Sequence, residues 1–216
     1  MALDVYVGSL TRYYGGAAGR GAAVADNPER LQADVFAWRV ALNEKLGDSV
    51  AAPLDWDETP GAPHFKGRLG WGGFSALVLW AAYAEHPGLR RAGLLPGEWE
   101  NDPALARSNA EGFRSRYSHI VRNVELWLPS AFPFTLESEG VGGHRIVIGS
   151  VATLRQQLVD LNNATWKADA AAVKEWGRRP SSDEAPLELR ARYGFAAMAE
   201  AARQADRYRL PMKLDC

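Results

Sequence analysis

Between Pro103 and Arg122 the chain reads PALARSNAEGFRSRYSHIVR, which sets Arg107, Arg114, Arg116, His119 and Arg122 against one acidic residue, Glu111. Guanidinium groups hold phosphate or carboxylate through paired N–H donors. An imidazole beside them is the side chain best suited to move a proton near neutral pH. On one helix, Arg107, Glu111 and Arg114 stack at spacings of four and three, while His119 and Arg122 share a neighbouring face with Ser115. The expected chemistry is a local cationic surface for an anion or an acidic protein. The plainer account is a solvated helix face braced by one Glu.

A second group lies near the N-terminus. LTRYY places Arg12, Tyr13 and Tyr14 between a strand end and a glycine-rich stretch, 15–27. Strand ends beside loops often carry sites, and Arg and Tyr are enriched at binding hot spots; core packing of the rings is the alternative. The stretch LDWDE supplies Asp55, Trp56, Asp57 and Glu58, with His64 shortly after. Its spacing lacks the glycine and closing Glu of a calcium loop. It reads as a solvated acidic loop or as a surface for a basic partner. The turn KGRLGWGGFS puts Lys66 and Arg68 before a helix start, where backbone N–H groups favour anions. The Gly-Lys-Ser/Thr ending of a phosphate loop is missing, so close packing around Trp71 is the simpler reading.

Several chemistries find no support. The sequence has no Gly-x-Ser-x-Gly elbow, no Ser-x-x-Lys and no His-Glu-x-x-His. The histidines at 64, 86, 119 and 144 show no metal spacing, and Cys216 is the single cysteine, so neither a disulfide nor a Cys-based zinc site can form within one chain. No cofactor or metal is expected. A net charge of −1 gives no field to steer the molecule toward nucleic acid.

The elements that must position these groups are well marked. Leu3, Val5 and Val7 alternate with Asp4 and Tyr6, a strand over about 3–8. Asn27-Pro28 caps a helix whose apolar stripe is Leu31, Val35, Trp38, Leu42 and Leu46, ended by Gly47. Residues 48–73 form a loop. FSALVLWAAYA, with Ser75 as its only polar side chain, is too short to span a bilayer and predicts a helix over about 73–86 buried on every side. Asp102-Pro103 starts a helix that runs to about Val121. Strands at 124–128, 132–137 and 144–148 suggest an antiparallel meander, and the first strand is expected to pair with the last of these. Ser150 caps a helix bearing Val151, Leu154, Leu158 and Leu161. A short helix near 169–176, a linker at 178–186 and an Ala/Arg-rich helix over about 187–208 follow. The tail LPMKLDC is expected at a sheet edge or across the surface. VYVGSL at 5–10 and IVIGSV at 146–151 echo one another as strand, Gly-Ser, then apolar.

The architecture expected is α+β: a single globular domain over 1–216, with a small, mainly antiparallel sheet packed on several helices and the 73–86 helix at the centre. Segments 15–27 and 178–186 are its flexible parts. No basic, apolar leader is visible, so a cytoplasmic location is expected. The leading functional expectation is a soluble, tryptophan-rich binding protein of the toxin-neutralising or adaptor kind. Its partner is a protein rather than a membrane or nucleic acid, and its candidate contacts are Arg12, Tyr13, Trp56, Asp57, Arg114, Arg116 and His119. The competing expectation is a small hydrolase or transferase for a phosphorylated or carboxylated substrate. That reading uses arginine clamps and a His acid/base, and it requires two or more of Arg12, Asp57, His64, Arg114, Arg116 and His119 to line one concavity.

Overall fold

The computed structural model describes residues 3–17, 27–179 and 182–215. Of the two segments expected to be flexible, positions 18–26 and 180–181 lie outside the described residues. The chain builds an α+β fold around one six-stranded sheet in the order β2-β1-β6-β3-β5-β4. The strands are β1 Asp4–Val7, β2 Phe65–Arg68, β3 Leu126–Leu128, β4 Leu136–Glu139, β5 Arg145–Ser150 and β6 Met212–Asp215. The helices are α1 Leu10–Arg12, α2 Pro28–Leu46, α3 Trp71–Glu85, α4 Pro103–Ser108, α5 Ser118–Val121, α6 Val151–Ala164, α7 Ala170–Arg178 and α8 Leu187–Tyr208.

Side chains alternate across the strands and so create two cores. Val5, Val7, Trp127, Met212 and Leu214 point to one face, under α3, α6 and α8. Tyr6, Leu126, Leu128, Ile146 and Ile148 point to the other, under the stripe Leu31, Val35, Leu42 and Leu46 of α2. The result is three layers: α2, the sheet, and the helix cluster.

α3 is buried from Gly73 to Tyr83, as its one-sided composition requires. It can lie so deep because it crosses α8 at glycine: a Cβ on Gly194 would sit 2.1 Å from the Gly73 carbonyl oxygen. The glycine turn before α3 therefore serves helix–helix contact. On Gly72 a Cβ would meet the Arg190 guanidinium at 1.8 Å.

Four expectations about the elements need correction. The sheet is mixed rather than mainly antiparallel, because β3 and β5 run parallel. No β3–β4 meander forms: Ser150 Oγ and Thr153 Oγ1 instead donate to the carbonyls of Ser130 and Phe132, at 2.5 and 2.6 Å, and hold that connection off the sheet. β1 pairs with β2 and β6, not with β5. The tail is neither an edge strand nor a surface strap: β6 is buried along its length between β1 and β3. Arg209, left-handed at φ 52°, turns the chain back after α8, and the Leu210 N–H closes on the Ala205 carbonyl at 2.9 Å.

The helix expected over 103–121 is two short helices, α4 and α5, separated by an irregular stretch that contains Gly112 at φ 77°. Glu85, the last residue of α3, explains the break. Its carboxylate accepts from Ser108 Oγ (2.7 Å), Ser115 Oγ (2.8 Å), the Tyr117 N–H (3.2 Å) and the Arg116 N–H. A carboxylate opposes the negative end of its own helix, and four donors offset that. Those backbone donors then cannot continue a helix.

The Gly-Ser echo has a structural meaning. Ser9 Oγ accepts from the Arg12 N–H at 3.4 Å and Ser150 Oγ from the Thr153 N–H at 3.1 Å, so both serines end a strand and cap the next helix.

Candidate interaction surfaces

The residues of chemical type fall into two groups at separate places. The first surrounds the end of β1. Glu58, expected on a solvated loop, is 4% exposed. Its carboxylate accepts from the Leu10 N–H (2.9 Å), the Thr11 N–H (2.8 Å) and the Trp56 indole, filling the positive end of the short α1 turn. This draws LDWDE against LTRYY. Trp56 is consequently buried rather than presented on a loop, with the Arg39 guanidinium 5.0 Å above its ring. Arg12 Nη2 donates to the Pro60 carbonyl at 2.8 Å. Asp55 pairs with Arg39 at 3.0 Å. Asp57 is exposed, and the Thr59 backbone N–H on its carboxylate, at 2.8 Å, holds its pKa below the usual value. The acidic loop is thus largely spent on local structure.

Tyr13 lies in the core below this group, edge-on to Tyr14 at 5.0 Å. Its hydroxyl donates to Asp215 Oδ1 at 3.3 Å. Asp215 and Asp4 face each other in register on β6 and β1, a like-charge pair that would be costly alone. Lys66 on the edge strand β2 bridges them, with Nζ 2.5 Å from Asp215 and 3.4 Å from Asp4, and the Asp215 hydrogen bond raises its pKa. Lys213 Nζ rests 5.2 Å from the centre of the Tyr13 ring. This network ties β2 and β1 to β6. Burial pushes the neighbouring Tyr14 phenol up to about 12, with the Glu125 charge adding to the effect.

The second group sits beyond the end of α3. Arg114 and Arg116 are exposed, whereas His119 is wholly buried. Gln157 Oε1 accepts from the His119 backbone N–H at 2.8 Å, so the Gln157 amide turns its NH2 toward His119 Nδ1 at 3.5 Å, with Ser118 Oγ at 3.2 Å. Nδ1 is thus served by Ser118 Oγ and Gln157, while Nε2 has no hydrogen-bond partner among the described residues. Desolvation lowers the His119 pKa to about 4. Gly149 gives the ring its room, since a Cβ there would lie 2.7 Å from His119 Cδ2.

Nearby, Ser108 Oγ lies 3.2 Å from His86 Nε2 and 2.7 Å from Glu85 Oε2. A hydrolytic triad sets the base between acid and nucleophile. Here the serine stands between the other two and is 0% exposed.

Of the two groups only Lys66 reaches a further concavity. That is an open groove of about 1040 Å³ between α7, α8 and the antiparallel β1–β2 pair. Val5, Val7 and Phe65 form its floor, and Val173 and Phe195 its walls. Lys66, Lys174, Arg178 and Arg203 stand around it against Asp169 and Glu200. Sequence reasoning missed it because its floor, on β1 and β2, and its walls, on the consecutive helices α7 and α8, lie about a hundred residues or more apart in the chain. The one available signal was the pairing of apolar and cationic residues along 170–178.

Among the described residues no set of three or more His, Cys, Asp or Glu side chains could hold a metal ion, and no helix is long and apolar enough to cross a membrane. The chain matches no family model, no curated protein and no solved structure.

Proposed function

We propose that this chain is an interaction protein, of the toxin-neutralising or adaptor kind, that holds an apolar, acid-flanked segment of a partner protein in the α7–α8 groove. One observation carries the reading: this groove is open and apolar on its floor, with Lys174 and Arg178 at its rim, while the candidate contacts Arg12, Asp57, Arg114, Arg116 and His119 lie elsewhere. Open apolar surface with a polar rim is the common form of a protein contact. The hydrolase or transferase reading asks two or more of Arg12, Asp57, His64, Arg114, Arg116 and His119 to share one concavity, and none of them lines this groove.

The test is a pull-down from the native host, with Ala170→Glu/Lys174→Glu as the control chain. Both positions are exposed on α7, so the fold should survive. A stoichiometric partner captured by the wild type and lost by the double variant supports the reading. A partner retained equally by both, or no stoichiometric partner at all, removes the groove from the account.

A further inference from the structure

α2 carries a second apolar stripe, on the side turned away from the sheet. Its inward residues Leu31, Val35, Leu42 and Leu46 are buried, yet Ala33, Phe36, Ala37, Val40 and Ala41 are all exposed, Phe36 at 41% and Val40 at 55%. Both sets keep helical spacing, and this is why so well-formed a helix is barely amphipathic. The outward set has its own order. Arg30, Ala33, Ala37, Val40 and Glu44 follow at spacings of three, four, three and four, the seam of a two-helix coil. Arg39 lies 4.6 Å from the Phe36 ring centre and holds that ring at the margin of the seam.

The charges at the two ends of the seam are related about Ala37. Ala33 and Ala41 stand four residues to either side, and Arg30 and Glu44 stand seven to either side with opposite sign. A two-fold axis at Ala37 in an antiparallel pair sets each Arg30 against Glu44 of the other copy, about 10 Å from the axis. It also sets Ala33 against Ala41, so that small side chains meet near the centre and let the helices approach, while Val40 falls opposite Asp34. A parallel pair would place Arg30 on Arg30 and Glu44 on Glu44. The charged ends and the small central residues thus match in the antiparallel orientation alone, as an isologous contact requires.

We infer that the outer face of α2 is a self-association surface, occupied by α2 of a second copy in antiparallel orientation. α2 is the outermost layer of the fold, so the groove between α7 and α8 on the far side of the sheet stays open in such a dimer. The two proposals therefore stand or fall separately.

Sedimentation velocity on the full chain, over a wide concentration range, reads the proposal. Wild type should pass from monomer to dimer. Ala37→Glu, which sets two like charges on the axis, should stay monomeric with an unchanged circular dichroism spectrum. Arg30→Glu should weaken the dimer about tenfold, because two exposed pairs are lost and two repulsions gained. Arg30→Glu/Glu44→Arg should restore it. In a Cys216→Ser background, Ala37→Cys should form an intermolecular disulfide on mild oxidation, and Ala33→Cys should link to Ala41→Cys faster than to itself. A wild type that stays monomeric throughout overturns the inference, as does a dimer that the double charge exchange does not restore. A stripe covered only by an unrelated protein overturns it too.

Discussion

At the scale of single residues, His119 shows how a group that could do chemistry becomes structure. Its Nε2 is buried without a hydrogen-bond partner among the described residues, and desolvation lowers its pKa to about 4 from an ordinary 6.5. The folded ring is neutral where the unfolded ring is still charged. Between pH 6.5 and 4 the unfolded chain binds more protons, so stability is complete above that window and falls as pH drops through it. The loss is of order 3 kcal/mol. Denaturant titrations at pH 6.5 and 5 should show this slope in the wild type and a flatter one in His119→Gln; equal slopes would place the acid sensitivity elsewhere. Glu58 illustrates the reverse. A residue that looks solvated in sequence is a buried acceptor for two backbone N–H groups and an indole. Glu58→Ala strands those donors and should cost about 3 kcal/mol by chemical denaturation. Glu58→Gln keeps one acceptor oxygen and should cost less.

At the scale of elements, the two glycines Gly194 and Gly177 separate packing from propensity. Gly194→Ala drives a Cβ against backbone at the α3–α8 crossing and should destabilise by about 3 kcal/mol. Gly177→Ala meets only an ordinary contact at 3.5 Å inside α7 and should stabilise by about 0.5–1 kcal/mol. Thermal melts of the two variants should shift in opposite directions. What was legible in the sequence follows the same division. Caps and periodicity act locally, so Asn27-Pro28, Asp102-Pro103, Ser150 and the stripe of α2 all marked their elements. The helix expected across 103–121 failed because Glu85, eighteen residues before Pro103, takes the N–H groups of Arg116 and Tyr117. Trp56 was misplaced for a similar reason, since Glu58 folds its loop inward. The candidate contacts split into two groups because only tertiary structure decides which loops meet. The groove joins residues more than a hundred positions apart, and nothing in local spacing marks it.

At the scale of the whole molecule, β6 controls the fold. It joins the two halves of the sheet, the antiparallel β2–β1 pair on one side and the mixed β3–β5–β4 set on the other, and within the sheet these meet only through it. Its Met212 and Leu214 belong to the core under α8, while Lys213 and Asp215 enter the polar network beneath α2. Four residues therefore contribute to both cores and to the ladder of two neighbours. Removing 210–216 leaves β1 and β3 with unpaired edges in the middle of the molecule, and those edges have no covering element. The shortened chain should lose its cooperative unfolding transition and bind a hydrophobic dye, whereas cutting only Cys216 should leave the transition intact. A peptide covering 209–216, added to the shortened chain, should restore near-ultraviolet circular dichroism in a saturable way. The variant Lys213→Pro in that peptide should fail, because it removes a ladder N–H from a central strand. A shortened chain that melts cooperatively at the wild-type temperature would show instead that the two halves are held together by α3 and α8 alone.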